Sequence, residues 1–250
     1  MTYWERKEQV RSYLGKTVRI EMDRPIGTEH PKHPGLLYPI NYGYIPGVLG
    51  GDGEELDVYL LGVDHPVEEY TCRIIGISHR ENDEEDKLVA APEGMIFDQA
   101  EIESAIHFQE RYYKTRIEAI YQRSCGGVIF RRNGERKEYL LLLQRGSGTW
   151  SVPKGHAQYT ETEEETALRE INEEAGISVC FVPDFREAIS YSIGAVKEKK
   201  LVLFAAEVSP DTVVSVNGEE IREFGWFTAG EAIERLYPEY RPVINEIEAL

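Results

Sequence analysis

Cysteine is scarce: Cys72, Cys125 and Cys180 are the only three among 250 residues. The set is odd in number and too widely spaced for a disulfide framework or a CxxC zinc site, so a reducing compartment is implied. Long apolar runs are missing as well, and no stretch approaches the roughly 20 residues that a membrane-spanning helix needs. The first residues, Met1-Thr2-Tyr3-Trp4-Glu5-Arg6-Lys7, are charged and lack the apolar centre of a secretory signal. We therefore expect a cytoplasmic protein without a membrane partner. Positive charge is in short supply throughout. Residues 1–120 hold 13 Lys and Arg against 23 Asp and Glu, and the remainder 15 against 22, for a net charge of -17. Neither half carries the clustered cations that grip nucleic acid or anionic lipid. Acid-rich sites can instead collect Mg²⁺ or Mn²⁺.

With 41% hydrophobic and 29% charged residues, the composition is that of a chain that folds. Its length suits two domains of about 100 to 150 residues. Strand-like segments at Thr17–Glu21, Leu56–Leu61 and Thr71–Ser78 are separated by Gly, Pro and acidic turns. A helical repeat through Ile102, Ala105, Ile106, Gln109 and Tyr113 predicts one helix from about Asp98 to Gln122, closing the first half. Strands return at Cys125–Arg131 and Glu138–Arg145, joined through Asn133-Gly134 as a hairpin. A helix over Glu163–Ala175, strands near Leu201–Val208 and Glu223–Phe227, and helices at Ala229–Leu236 and the C-terminus complete the second half. The spacing sets a boundary near residue 120, giving domains 1–120 and 121–250. No repeat or low-complexity linker separates them.

From Gly155 the chain reads GHAQYTETEEETALREINEEAGI. On a helix, Glu170, Glu173 and Glu174 stand at i, i+3 and i+4, about 5 to 6 Å apart at Cβ. Like charges so placed destabilise a helix unless a cation sits among them, and hard carboxylate oxygens suit Mg²⁺ or Mn²⁺. Gly176 supplies a left-handed end, and Thr160 or Thr162, each with Glu three residues on, can form a capping box. Three such glutamates alone would read as a solvated acidic face. The complete segment, however, matches Gx5Ex7REUxEExGU, with U aliphatic, at every defined position: Gly155, Glu161, Arg169, Glu170, Ile171, Glu173, Glu174, Gly176 and Ile177. It is therefore identified as a Nudix box.

The resemblance covers roughly residues 123–250. Cys125-Gly126-Gly127-Val128-Ile129-Phe130-Arg131-Arg132 and Trp150-Ser151-Val152-Pro153-Lys154-Gly155-His156 resemble the asymmetric diadenosine tetraphosphate hydrolase branch. It implies an α/β/α Nudix sandwich. It also implies that Glu170, Glu173 and Glu174 bind metal and activate water, that the Lys154 carbonyl is a backbone metal ligand, and that Arg169 orients the helix by pairing with Glu161. Glu220, six residues before Trp226, resembles an acid that some members place over the metals as general base. Tyr191, Phe185 and Lys199 lie where the branch stacks a base and neutralises polyphosphate.

In the first half, PGLLYPINYGYIPGVLGGDGEELDVYLL from Pro34 to Leu61 precedes the acidic run Asn82–Asp86. Asp52, Glu54 and Asp57 sit at a glycine-rich turn where carboxylates could converge on hard cations, and Tyr38 and Tyr42 could offer hydroxyl donors to phosphate. Together the segments resemble soluble family I inorganic pyrophosphatases over residues 10–118. The resemblance implies an OB-like five-stranded closed barrel with helices. By position it implies metal and phosphate roles for Glu21, Tyr38, Tyr42, Asp52, Asp57, Asp83, Asp86, Lys87, Tyr113 and Lys114. Two departures stand out. Glu54 occupies a position where the family carries aspartate, and one added methylene can move an oxygen by about 1 Å, enough to cost on the order of a hundredfold in rate. The stretch from Met22 to Pro34 is short and lacks the family's lysine, glutamate and arginine, leaving Arg24, His30, Lys32 and His33 as substitutes. The half is thus either a second, pyrophosphate-hydrolysing site or a non-catalytic module that binds a phosphate ligand or organises oligomers.

The chain as a whole reads as a metal-dependent hydrolase of phosphoanhydride bonds. The branch resemblance concerns residues that contact substrate, so a dinucleoside polyphosphate is the expectation. The alternative is a nucleoside triphosphate pyrophosphohydrolase whose pyrophosphate the first domain removes. Capped or triphosphorylated RNA ends come third, given the acidic surface.

Overall fold

The computed structural model describes residues 3–30, 35 and 37–250; the substitutes Lys32 and His33 fall outside them. The chain forms two compact units, one of Met1–Gln122 with Ser192–Glu198, the other of Arg123–Tyr191 with Lys199–Leu250. No helix among the described residues is long and apolar enough to cross a membrane.

The first unit begins with helix α1 (Tyr3–Arg11) and strands β1 (Thr17–Arg24), β2 (Asn41–Leu49), β3 (Glu55–Leu60), β4 (Glu69–Arg80) and β5 (Lys87–Ala91). Among the described residues these five strands run β1-β2-β3-β5-β4, and β4 returns to pair with β1, closing a barrel of the OB type. Among the described residues of this barrel, β3 and β5 are the one parallel pair. Alternation along β3 divides its side chains. Leu56, Val58 and Leu60 join Ile20, Ile74 and Leu88 in one core, while Tyr59 and Leu61 join Tyr38, Tyr42 and Val89 in another.

Helix α2 (Gln99–Glu110) covers that second core with Ile102 and Ile106. It opens on a capping box between Asp98 and Glu101. The helix expected to run on to Gln122 stops at Glu110. The Arg111 N–H closes onto the His107 and Gln109 carbonyls, and Thr115–Ala119 becomes β6, antiparallel to the end of β4. Only Tyr113 sustained the helical repeat past that point, whereas Thr115 and Ile117 favour a pleated surface.

The second unit contains β7 (Tyr121–Asn133), β8 (Arg136–Gln144), β9 (Trp150–Ser151), β10 (Lys154–His156), α3 (Glu163–Ala175), β11 (Arg186–Ile193), β12 (Lys197–Val208), β13 (Ile221–Thr228), α4 (Ala229–Arg235) and α5 (Arg241–Glu248). Its sheet runs β11-β12-β7-β8-β13, with β10 on β7 and β9 on β8. Period-two alternation again sorts the core. Ile129, Leu140, Leu142 and Ala206 pack with Ile171 and Ala175 of α3. Val128, Phe130, Tyr139, Leu141 and Leu203 face Ala232, Val243, Ile244 and Ile247 of α4 and α5 on the other side. Helices on both faces of the sheet make this an α/β/α sandwich, and the chain as a whole is mixed α and β.

Gly43 is fixed by close approach. A Cβ on Gly43 of β2 would fall on the Glu21 carbonyl of β1, and backbone cannot move aside as a flexible side chain can. Gly43→Ala should lower unfolding free energy in urea by about 1–3 kcal/mol; an unchanged midpoint would mean that these strands are not so tightly paired.

Candidate active site

Helix α3 is specified at both ends. Thr162 accepts from the Glu165 N–H while the Glu165 side chain accepts from the Thr162 N–H, and Gly176 ends the helix at φ 66°. Of the two threonines considered for the cap, Thr162 holds it.

The inner face of α3 meets β10 at Gly155. A Cβ there would overlap the Glu170 carboxylate, so the bare Cα lets Glu170 lie flat against the strand. Gly127 of β7 plays a similar part beneath, since a Cβ there would stand 2.6 Å from Ile171. The Arg169 guanidinium donates to Glu161 at 2.6 and 2.9 Å, to Glu170 at 2.7 Å, to Glu173 at 3.0 Å and to the His156 carbonyl at 3.1 Å. Glu161 also accepts from the Thr166 hydroxyl at 2.9 Å, and Arg169 holds its carboxyl below the usual range.

The three glutamates occupy unlike surroundings. Glu173 is 54% exposed. Glu170 is largely covered, and burial pushes its carboxyl up, as do the charges of Glu173 and Glu220, with Arg169 opposing. Glu174 is only 5% exposed and accepts from the Lys154 N–H at 3.1 Å. Burial raises it to about 7, and the Glu170 charge adds to the rise. Among the described residues no three His, Cys, Asp or Glu side chains are gathered as a ready metal cage; here Glu170 and Glu173 both accept from Arg169. Glu220 is exposed and enters the cluster through its charge.

Beside Glu174 lies a cavity of about 300 Å³ lined by Gln144, Gly146, Ser147, Thr149, Ser151, Lys154, Tyr191, Tyr237 and Tyr240. Lys199 is half-buried on β12, and burial together with the Lys154 charge lowers its ammonium to about 8. Tyr191 thus lines the cavity. Phe185 does not: it is 8% exposed within the core with Leu203 and Val243, which leaves it no face for a substrate. Gln144, Tyr237 and Tyr240 went unnoticed in the sequence, having no motif spacing to mark them.

A second cleft, of about 370 Å³, opens in the first unit. It brings together Tyr38, Tyr42, Asp52, Asp57, Asp83, Lys87 and Tyr113 of the expected residues, with Arg24 and His30, and adds Asp23, Arg80, Glu85 and Gln109. Lys87 donates to Asp57, to Glu85 at 2.9 Å and to the Tyr42 hydroxyl at 2.8 Å, and Tyr42 donates to Asp57. Arg80 joins Glu110 at 2.6 Å and Asp83 at 3.0 Å, and lies over the Tyr113 ring at 3.6 Å. Burial, reinforced by the Asp57 charge, pushes the Glu85 carboxyl up.

Four expected residues stand elsewhere. Asp86 precedes Lys87 at the start of β5, so alternation turns it to the opposite face; there it meets His79 at 2.8 Å, Lys7 and the Arg80 N–H at 3.1 Å. Glu85, two residues before Lys87, occupies the cleft position given to Asp86. Lys114 is exposed and paired with Glu81 at 2.6 Å. Glu21 accepts from the Tyr44 hydroxyl at 3.3 Å, outside the cleft. Glu54 is exposed on its turn, where its N–H donates to Asp52 at 3.0 Å.

The fold and the α3 cluster define a Nudix hydrolase. The NUDIX domain model matches residues 120–247, and the chain belongs to that family; the inorganic pyrophosphatase model matches residues 13–122. The asymmetrical bis(5'-nucleosyl)-tetraphosphatase of Sus scrofa is 34% identical over 122 residues, 45% of this chain and 82% of the relative. The inorganic pyrophosphatase of Campylobacter jejuni is 29% identical over 90 residues, 33% of this chain and 52% of the relative. The crystal structure of a C. elegans Ap4A hydrolase binary complex superposes with TM-score 0.48 and 27% identity, covering 51% of this chain and 96% of that one.

The raised Glu174 carboxyl has a consequence for stability. An acid that ionises at about 4.5 in the unfolded chain and about 7 in the fold favours the fold when protonated, so stability falls as pH rises from 4.5 through 7. In chelator-treated protein, Glu174→Gln should be near neutral at pH 4.5 and stabilising by about 1–3 kcal/mol at pH 8, since each tenfold change in an acid's ionisation constant is worth about 1.4 kcal/mol. A difference from wild type that does not vary with pH would contradict this origin.

Proposed function

We propose that the second unit hydrolyses a phosphoanhydride bond of a nucleoside polyphosphate, with a dinucleoside polyphosphate of the diadenosine tetraphosphate kind as substrate. The observation that carries this reading is the pairing of the buried Glu174 and the largely covered Glu170 with an adjoining cavity lined by Tyr191, Tyr237, Tyr240 and Lys154. Tyrosines suit stacking against a base, and Lys154 and Lys199 supply cations for a polyphosphate. The relative named for bis(5'-nucleosyl)-tetraphosphate cleavage supports the same substrate class.

The donor set fits Mg²⁺ or Mn²⁺. Glu170 and Glu174 offer hard oxygens whose ionised forms are disfavoured by burial and mutual repulsion, a cost that a cation relieves. Glu170, Glu173 and Glu174, with the Lys154 carbonyl and Glu220, would hold it. Bound metal supplies charge neutralisation for the departing phosphate and a more acidic water. The chain's own contribution is geometric and protonic. Arg169 and Glu161 hold the helix face toward β10, Gly155 admits the Glu170 carboxylate, and Glu174 is poised to accept a proton near neutral pH.

For the first unit we propose a phosphate-binding cleft, with pyrophosphate as its test ligand. Lys87 and Arg80 supply the cations, but Asp57, Glu85, Glu110 and Asp83 already engage them. That self-neutralisation, with Glu54 turned to solvent, weighs against fast hydrolysis.

A product assay with diadenosine tetraphosphate and Mg²⁺ tests the principal reading. Glu174→Gln should lower kcat by about a hundredfold or more, the scale on which a proton acceptor contributes, while Asp57→Asn leaves nucleotide cleavage unchanged. Turnover by Glu174→Gln within a few fold of wild type would remove Glu174 from the chemistry.

A further inference from the structure

Among the described residues of the second unit, one buried donor outside hydrogen-bonding geometry faces the cavity beside the α3 carboxylates. The Gln144 amide nitrogen is shielded from solvent and, among the described residues, meets no hydrogen-bond acceptor in bonding geometry. A buried polar group left so costs about 1–3 kcal/mol, and native structures seldom retain one without a use for it. Gln144 lines the cavity together with Ser151, Lys154 and Tyr191. Its side chain also lies close enough to the Glu174 carboxyl to help hold it down.

The position is rigid. Gln144 is the last residue of β8 and pairs with Ile221 of β13. Its N–H donates to the Thr149 carbonyl at 2.9 Å, and its carbonyl accepts from the Gly148 N–H at 2.9 Å. The next residue, Arg145, is tied off by its N–H to the Glu220 carbonyl at 2.8 Å and by its side chain to the Gly218 carbonyl at 3.1 Å. Backbone anchoring on both sides leaves the amide fixed at the boundary between the carboxylate cluster and the tyrosine-lined cavity.

We propose that Gln144 is a substrate-binding residue whose amide donates to a nonbridging phosphoryl oxygen of the nucleotide seated beside Glu174; this rests on the nucleotide-hydrolase reading above. A phosphoryl oxygen accepts and never donates, which suits a group with only N–H to offer on that side. The amide also binds the anion without adding a formal charge next to Glu174, so it need not compete with a cation for that carboxylate.

Two variants test the assignment in the full-length chain. Gln144→Leu removes the donor at similar volume, and Gln144→Glu replaces it with an acceptor that repels phosphate. KM and kcat are measured with diadenosine tetraphosphate. Affinity is measured by calorimetry for adenosine 5'-[α,β-methylene]triphosphate and for adenosine, with melting temperature as the control for folding. Gln144→Leu should raise KM and weaken the methylene analogue about tenfold, the scale of a hydrogen bond to a charged group. Gln144→Glu should weaken both further, and adenosine affinity should stay within twofold. An equal loss of adenosine affinity would place the amide on the nucleoside and overturn the assignment. A fall in kcat with KM and analogue affinity unchanged would overturn it too, making Gln144 a support for Glu174 alone. Absence of turnover by the wild type would count against the substrate reading, while the calorimetric comparison still decides the role of Gln144.

Discussion

Two carboxylates one helical turn apart, one of them pressed against the bare backbone of a glycine, set the terms for the second unit. Glu170 can lie against β10 only because Gly155 has no side chain, and Glu174 is carried into the interior on the same face of α3. Burying like charges so close together is unfavourable. Arg169 offsets part of that cost, joined to Glu161, Glu170, Glu173 and the His156 carbonyl. The remaining imbalance appears as raised carboxyl groups, which is the electrostatic condition that a divalent cation and a proton acceptor both exploit.

The first unit meets a comparable problem. Its cleft also gathers acids, but Lys87 and Arg80 lie among them as built-in cations, and a tyrosine hydroxyl and a tyrosine ring complete the contacts. Internal pairs satisfy much of the charge there. The two sites are thus alike in kind: each places cations among its acids, and each keeps a raised carboxyl, Glu174 in the second unit and Glu85 in the first.

Much of the second unit could be read from residues alone, because its decisive features are local. A capping threonine, a left-handed glycine and glutamates at helical spacing lie within one segment, and α3 occupies Glu163–Ala175 as the pattern required. Features set by distant contacts were harder to read. Strand alternation gives the cleft to Glu85 and turns Asp86 toward His79, which a position-by-position match across an acidic run could not tell apart. The helix beyond Glu110 was overextended because a repeat sustained by a single tyrosine competes poorly with pairing to β4. The place of Phe185 in the chain suits a substrate contact, yet the sheet and α5 enclose it. Arg80 and Gln144 carried no motif at all; only burial and missing or paired hydrogen bonds distinguish them.

In the proposed function the α3 carboxylates would jointly hold a divalent cation against the phosphates. Anomalous diffraction from crystals grown with Mn²⁺ and a nonhydrolysable dinucleoside polyphosphate tests it most directly. The account predicts manganese density between Glu170 and Glu174, bridging to phosphoryl oxygens, with Arg169 retained on Glu161. Manganese found only elsewhere, with the ligand bound away from α3, would contradict it.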